Sequence, residues 1–127
     1  MTTGVTTFPI VTDQEANVPN EIILGANNLR LKELGLEKLT EGFAEDEYEI
    51  RRAGSNLVIA GAPPRGTVNG MYGYLQDHMG CRWFTPGVSR VPKQAGLKLP
   101  GTPDRQKPDF RERSMVAPQH WDAAWTA

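Results

Sequence analysis

The sequence predicts an α+β domain, a small mixed β-sheet with about two helices packed on it. Three observations support this fold class. Residues 48–51 alternate between apolar and charged side chains, residues 57–60 are apolar throughout, and residues 68–79 repeat apolar side chains at helical spacing. A length of 127 residues with 39% hydrophobic content is enough for one core. We therefore expect a single small domain.

The two predicted strands form a hairpin. Alternation with period two over residues 48–51 is typical of a strand with one buried face, whereas the continuous apolar run 57–60 favours a strand covered on both faces. Residues 53–56, with the sequence AGSN, fit a tight connection between them.

A helix of about four turns is predicted after the hairpin, with Pro63 and Pro64 at its start and Gly80 just past its end. It carries an apolar stripe and a glycine stripe, and we expect packing to use both. The apolar stripe is Val68, Met71, Tyr72, Leu75 and Met79; the glycine stripe is Gly66, Gly70 and Gly73. Because each glycine weakens a helix by about 1 kcal/mol relative to alanine, the glycine stripe indicates close approach of the helix backbone to a sheet or a neighbouring domain.

Weaker signals predict the remaining elements. Residues 8–11 are predicted to form one short strand, and residues 81–84 favour a short strand or extended segment ended by a Pro-Gly pair. Residues 27–39 predict a short helix with an asparagine cap, Leu31 and Leu34 facing inward, and Gly35 at its C-terminal end. The rest of residues 1–20, and residues 85–108, are predicted to be loops.

Composition argues against several functional classes. A net charge of −1 gives no electrostatic reason to expect nucleic acid or an anionic membrane as a partner. No apolar run approaches the roughly 18 residues of a membrane span, and residues 1–20 lack the basic-then-apolar pattern of a secretion signal. A single cysteine cannot form a metal-ligand motif, so we expect Cys81 to behave as a small buried hydrophobic residue. We expect no metal and no cofactor.

Two segments resemble functional motifs, and each has a structural interpretation. Residues 61–67, GAPPRGT, have the glycine spacing of a phosphate loop but lack the lysine, and two prolines remove N–H donors. A strand-to-helix turn is therefore favoured, with Arg65 paired to a carboxylate or to a neighbouring domain. The acidic residues Glu41, Glu45, Asp46, Glu47 and Glu49 are predicted to form a solvated face, although a glycosidase carboxylate pair is the alternative.

The histidines and the C-terminal tryptophans are the remaining candidates. His78, near the end of the predicted helix, is expected to interact with the last helix carbonyls. His120, Trp121 and Trp125 are candidates for contact with a carbohydrate or another domain, because exposed tryptophans stack on sugar rings. The favoured interpretation is that these three are core residues of a following domain.

Several segments together resemble a known family. They are GAPPRGTVNGMYGYLQDHMGCRWFTPG at residues 61–87, RVP at 90–92, LKLP at 97–100 and KPDFRER at 107–113, with residues 8–11 and 21–25 as early strands. In this order they are similar to the N-terminal accessory domain of bacterial glycoside hydrolases related to alpha-glucuronidases. That domain is in turn similar to the second domain of beta-N-acetylhexosaminidases.

The resemblance implies a division of the chain and a function. Residues 1–108 would be an accessory α+β domain, incomplete at its N-terminus, and residues 109–127 the start of a TIM-barrel catalytic domain that is absent. The chain would then be a fragment of a secreted or periplasmic glycoside hydrolase, not catalytic by itself, whose partner is the barrel of the same polypeptide. An exposed sheet edge would give a second route to association, as a homodimer.

The alternative function is a carbohydrate-binding module, with Arg65, Trp121 and Trp125 contributing to recognition of a glycan.

Overall fold

The computed structural model describes residues 9–110. The strands and helices in this range are β1 (Ile22–Leu24), α1 (Leu29–Glu33), β2 (Tyr48–Ala53), β3 (Asn56–Gly61), α2 (Gly66–Gly73), β4 (Arg82–Thr85), β5 (Val88–Arg90) and β6 (Asp104–Gln106). A π-helical turn, Tyr74–His78, continues α2. The predicted α+β class is confirmed.

The main sheet has the strand order β1-β3-β2-β6. Strand β3 runs parallel to β1 and antiparallel to β2, and β6 pairs antiparallel with the other edge of β2. The predicted β2–β3 hairpin is confirmed, and Gly54 in its turn has a φ of 63°, a conformation that favours glycine. Strands β4 and β5 form a separate two-stranded sheet.

Apolar side chains cover both faces of β3, as its continuous apolar run predicts. One face contributes Leu57 and Ile59, and the other contributes Val58 and Ala60. The first group packs with Ile50, Tyr74, Met79 and Cys81, and the second packs with Ile23 and Leu31. Cys81 is buried in the first group, which confirms its prediction as a buried hydrophobe.

The glycine stripe of α2 lies against the sheet. A Cβ atom at Gly66 would be 2.5 Å from the carbonyl oxygen of Glu47, and one at Gly70 would be 2.8 Å from Cγ2 of Ile59. One at Gly73 would be 2.5 Å from the Tyr48 hydroxyl. These distances confirm the predicted close approach and identify the sheet as the neighbour.

Helix α1 is shorter than predicted. Asn28 caps it, with its side-chain oxygen accepting from the Arg30 amide at 2.9 Å, and Gly35 follows with a φ of 69°. Leu31 is buried as predicted, but Leu34 is exposed, so its inward placement was wrong. The helix ends before Leu34, and Leu36 and Leu39 from the following turns pack on the core instead.

Two other predictions of local structure were wrong. Residues 9–11 of the predicted strand 8–11 form no ladder with the sheet, and Ile10 is exposed; Phe8 is outside the described residues. The predicted loop 85–108 contains β5 and β6. Strand β6 is three polar residues long and joins the sheet by pairing with β2, a contact that no local pattern indicates.

Candidate functional site

The apolar stripe of α2 points away from the sheet. On a helix with 3.6 residues per turn, Val68, Met71 and Tyr72 lie opposite the glycine stripe. Their relative exposures are 51%, 38% and 56%. These three residues therefore do not pack on the described sheet, because the glycine stripe lies against it.

The last two residues of the stripe do reach the core. Met79 is buried and Leu75 packs against the same cluster. Leu75 lies in the π-helical turn and Met79 directly follows it; the amide of Met79 donates to the carbonyl of Tyr74 at 3.2 Å, five residues back. Tyr74, four residues after Gly70 and so on the sheet-facing side of the helix, is also buried.

The β4–β5 hairpin extends the exposed apolar surface. All of its residues are exposed, including Trp83 at 44% and Phe84 at 58%. The Trp83 ring meets the Tyr72 ring edge-on, with centroids 5.7 Å apart. We call Val68, Met71, Tyr72 and Trp83 the outer face.

Arg65 binds a buried carboxylate at the start of α2. Its guanidinium donates to Oδ2 of Asp46 through Nε at 3.2 Å and Nη2 at 2.8 Å, and its amide donates to Oδ1 at 3.0 Å. Asp46 is 5% exposed, whereas the Arg65 side chain is 68% exposed. The predicted pairing of Arg65 with a carboxylate is confirmed, and the guanidinium still presents a surface to solvent.

The loop between β3 and α2 uses its polar groups internally. The Gly61 amide donates to the Thr67 hydroxyl at 3.1 Å, and the Gly66 amide donates to the Ala62 carbonyl at 2.8 Å. Since these donors are engaged and Arg65 is tied to Asp46, the segment is a strand-to-helix turn, as predicted.

Glu47 forms a second ion pair with an arginine distant in sequence. Its Oε1 accepts from Nε of Arg105 at 2.5 Å, and its Oε2 accepts from the Ala44 amide at 2.6 Å. The hydrogen bond from Arg105, followed by that from the Ala44 amide, holds the pKa of Glu47 below its ordinary value. The Arg105 guanidinium also lies 4.2 Å from the centre of the Phe43 ring.

The prediction of a solvated acidic face was wrong for three of its five residues. Asp46, Glu47 and Glu49 are buried, and each lies beside an arginine; for Glu49 this is Arg51, at 3.2 Å. Two of the partners, Arg65 and Arg105, are far away in sequence, so the local pattern gives no sign of them. Glu41 and Glu45 are exposed.

His78 joins the end of the helix to the sheet. Its Nε2 lies 3.0 Å from Oδ2 of Asp104 on β6, and its ring stacks on Tyr74. The Tyr74 hydroxyl donates to the Lys98 carbonyl at 2.9 Å, and burial raises the pKa of that hydroxyl. The predicted interaction of His78 with the last helix carbonyls was wrong, since its partner is the carboxylate of Asp104.

A cleft of about 510 Å³ lies beside the Asp46 loop, between residues 44–46 and residues 107–110. Glu45, Asp46, Lys107 and Asp109 line it together with Phe110. Among residues 9–110 no cluster of three or more His, Cys, Asp or Glu side chains is arranged to hold a metal ion. No helix in this range is long and apolar enough to cross a membrane.

Of the predicted site residues, only Arg65 lies in the described part of the chain; His120, Trp121 and Trp125 are outside it. The structure adds Tyr72 and Trp83, which the sequence had assigned to packing. The signal that could have found them is the position of the glycine stripe. It lies on the opposite side of the helix from the apolar stripe, and only one of the two sides can face the sheet.

Comparison with known protein families, with characterised proteins and with solved structures gave no match to this chain. The relationship to alpha-glucuronidases therefore stands as a proposal.

Proposed function

We propose that this chain is a non-catalytic accessory domain of a carbohydrate-degrading, alpha-glucuronidase-like glycoside hydrolase, and that it braces the catalytic barrel. The observation that carries the proposal is the outer face. Its apolar side chains are directed away from the domain's own core, which the glycine stripe contacts instead. Contiguous exposed apolar surface of this kind marks an interaction site.

The composition of the outer face favours a protein as its partner. Met, Tyr and Trp are enriched at protein–protein interfaces, and the β4–β5 hairpin that carries Trp83 has only two strands. A two-stranded hairpin is marginally stable by itself, so contact with another domain would stabilise it. The sequence resemblance implies that this domain is the catalytic barrel.

The buried carboxylates support a structural role for this chain. A glycosidase requires two carboxyl groups that face each other across roughly 5–9.5 Å and reach the substrate. Asp46 instead binds Arg65, which holds the turn before α2 in place. Glu47 binds Arg105, which holds the edge strand β6 in place. Hydrolysis of an aryl glycoside by the purified chain would contradict the proposal.

Association with a barrel tests the proposal directly. The catalytic barrel of an alpha-glucuronidase, supplied as a separate polypeptide, should bind the chain, and Trp83→Ser should weaken binding at least about tenfold, as expected of a central aromatic side chain. Val18→Ser is the control, because Val18 is an apolar residue more exposed than Trp83 (58% against 44%) but outside the outer face. Absence of binding, or equal effects of the two substitutions, would reject the brace.

The alternative is a carbohydrate-binding module, and the exposed Trp83 beside Tyr72 favours keeping it as a second candidate. Aromatic rings at a surface stack on the apolar faces of sugars. Calorimetric titration with uronic-acid-bearing xylan oligosaccharides separates the two functions. A binding module releases heat that is lost on Trp83→Ala or Trp121→Ala, whereas a brace releases none.

A further inference from the structure

Residues 91–103 connect β5 to β6 without forming a helix or strand of their own. Among the described residues, no backbone hydrogen bond joins this segment to another part of the fold. It therefore lacks the ladder of hydrogen bonds that holds a strand in a sheet. Side-chain contacts must keep it in place.

Two hydrogen bonds from side chains attach the segment to the end of the helix. Gln94 donates through Nε2 to the Met79 carbonyl at 2.7 Å, and the Tyr74 hydroxyl donates to the Lys98 carbonyl at 2.9 Å. Both bonds join neutral groups, so each contributes only modestly to stability. We call residues 91–103 the strap and these two hydrogen bonds its latch.

The strap covers one side of the core. Leu97 and Leu99 pack against the core group that contains Cys81, whose own exposure is 1%. Nearer its start, the strap passes beside the residue that precedes Cys81, since a Cβ atom added to Gly80 would lie 3.6 Å from Cγ of Pro92. The strap is therefore part of what separates this core group from solvent.

The two ends of the strap are held differently. At its C-terminal end, strand alternation directs Asp104 and Arg105 to opposite faces of β6, and each forms an ion pair there, with His78 and Glu47 respectively. At its N-terminal end the strap continues from β5, which among the described residues pairs only with β4. Strand β6 can therefore stay in the sheet when the strap moves.

We infer that the strap opens and closes as a unit while the four-stranded sheet stays folded, and that opening uncovers the core group that contains Cys81. Ordering an irregular segment costs conformational entropy at every residue. Opposing that cost are the latch, two half-buried leucines and the buried Pro100. The sheet has both hydrogen-bond ladders and apolar contacts on its two faces, so the strap should open at a lower free energy. The inference is independent of the proposed function.

Cleavage by trypsin measures the opening, because a protease cuts a segment only while that segment is detached from the folded surface. Lys93 and Lys98 of the strap are exposed, and neither is followed by proline. Cleavage after these lysines, located by mass spectrometry, should rise with urea concentration far less steeply than global unfolding followed by circular dichroism, because the slope scales with the surface exposed. Alkylation of Cys81 by iodoacetamide should show the same shallow dependence on urea.

Substitutions separate the opening of the strap from the unfolding of the domain. Gln94→Ala removes one bond of the latch and should raise cleavage in the strap about fivefold, the effect of one neutral hydrogen bond. Gln14→Ala is the matched control, because Gln14 is exposed and forms no hydrogen bond within residues 9–110. Ile23→Val removes a methyl group from the core on the other face of the sheet, so it should promote global unfolding and leave strap cleavage unchanged.

Three results would overturn the inference. Strap cleavage that is as steep in urea as global unfolding, or that Ile23→Val accelerates, would show that the strap opens only with the whole domain. Equal cleavage of Gln94→Ala and Gln14→Ala would show that the Gln94 bond does not hold the strap closed. Shallow cleavage of the strap together with steep alkylation of Cys81 would show that the strap does not cover that core group.

Discussion

Gly66 differs from the other two glycines of the stripe in what an added side chain would meet. The atoms that a methyl group would meet there are backbone atoms, the carbonyl oxygen of Glu47 and the carbonyl carbon of Gly61, and these cannot rotate away. At Gly70 and Gly73 the nearest atoms belong to the side chains of Ile59 and Tyr48. The cost of an added methyl group should therefore differ along the glycine stripe.

We predict that Gly66→Ala lowers the free energy of unfolding by about 2–3 kcal/mol. The steric cost outweighs the gain of about 1 kcal/mol in helix propensity. Gly70→Ala should cost less, since Ile59 can move. Gly96→Ala is the control and should change stability by less than about 0.5 kcal/mol, because no atom lies within 4 Å of its added Cβ. Urea unfolding measures all three, and a Gly66→Ala variant as stable as the control would contradict the packing.

Glu47 provides a prediction about pH. Its pKa is lowered from the ordinary value of 4.5 in the folded state, because the charged form accepts hydrogen bonds from Arg105 and Ala44. The unfolded chain therefore binds a proton at higher pH than the folded chain. The stabilisation is present above about pH 4.5 and is lost as pH falls through the lowered folded pKa.

We expect Glu47→Gln to lose about 1–3 kcal/mol of stability near neutral pH, and the difference from the unsubstituted chain to shrink below about pH 4. Unfolding in urea across this pH range measures it. The exposed Glu37→Gln is the matched control and should follow the unsubstituted chain. A Glu47→Gln difference that stays constant down to about pH 3 would show that the carboxylate charge is not what stabilises the fold.

At the scale of elements, the Arg65–Asp46 pair fastens the start of α2 to the loop before β2. We predict that Arg65→Ala costs about 1–2 kcal/mol, because the substitution removes two hydrogen bonds to a buried carboxylate while the backbone amide of residue 65 keeps its own. Arg65→Lys should recover only part of this stability, since an ammonium group lacks the planar, bidentate geometry.

Thermal unfolding of these variants, with Lys38→Ala as an exposed control, measures the effect of the ion pair. Equal stability of Arg65→Ala and the control would show that the pair contributes nothing to the fold.

Elements specified by local pattern were predictable from the sequence, and those that depend on distant partners were not. The β2–β3 hairpin follows from alternation, an apolar run and a Gly-containing turn, all within 14 residues. Strand β6 has no such pattern, because pairing with β2 and the Arg105–Glu47 contact hold it in place. For α2 both stripes can be read from the sequence, but not which of them faces the sheet. The structure shows that the glycine stripe does, because Gly66, Gly70 and Gly73 lie too close to the sheet to leave room for a Cβ atom.

At the scale of the whole molecule, strand β3 and the β4–β5 hairpin differ in how many contacts with the rest of the fold stabilise them. Strand β3 is hydrogen-bonded on both edges and covered by apolar side chains on both faces, so its amides should exchange only when the domain unfolds. Among the described residues, strands β4 and β5 pair only with each other, and their residues are exposed. The hairpin, which carries Trp83 of the surface proposed to meet the barrel, thus has less support from the domain core than β3.

Hydrogen–deuterium exchange of the free chain should therefore separate these two parts. We predict that the amides of β4 and β5 that donate across the hairpin exchange at least about 100-fold faster than those of Val58 and Ile59 on β3, because opening the hairpin exposes little apolar surface. Binding of the alpha-glucuronidase barrel should slow exchange in the hairpin and leave β3 unchanged. Hairpin amides as slow as those of β3 in the free chain would show that the hairpin is stable without a partner, and the outer face would then lose one of its two arguments for docking.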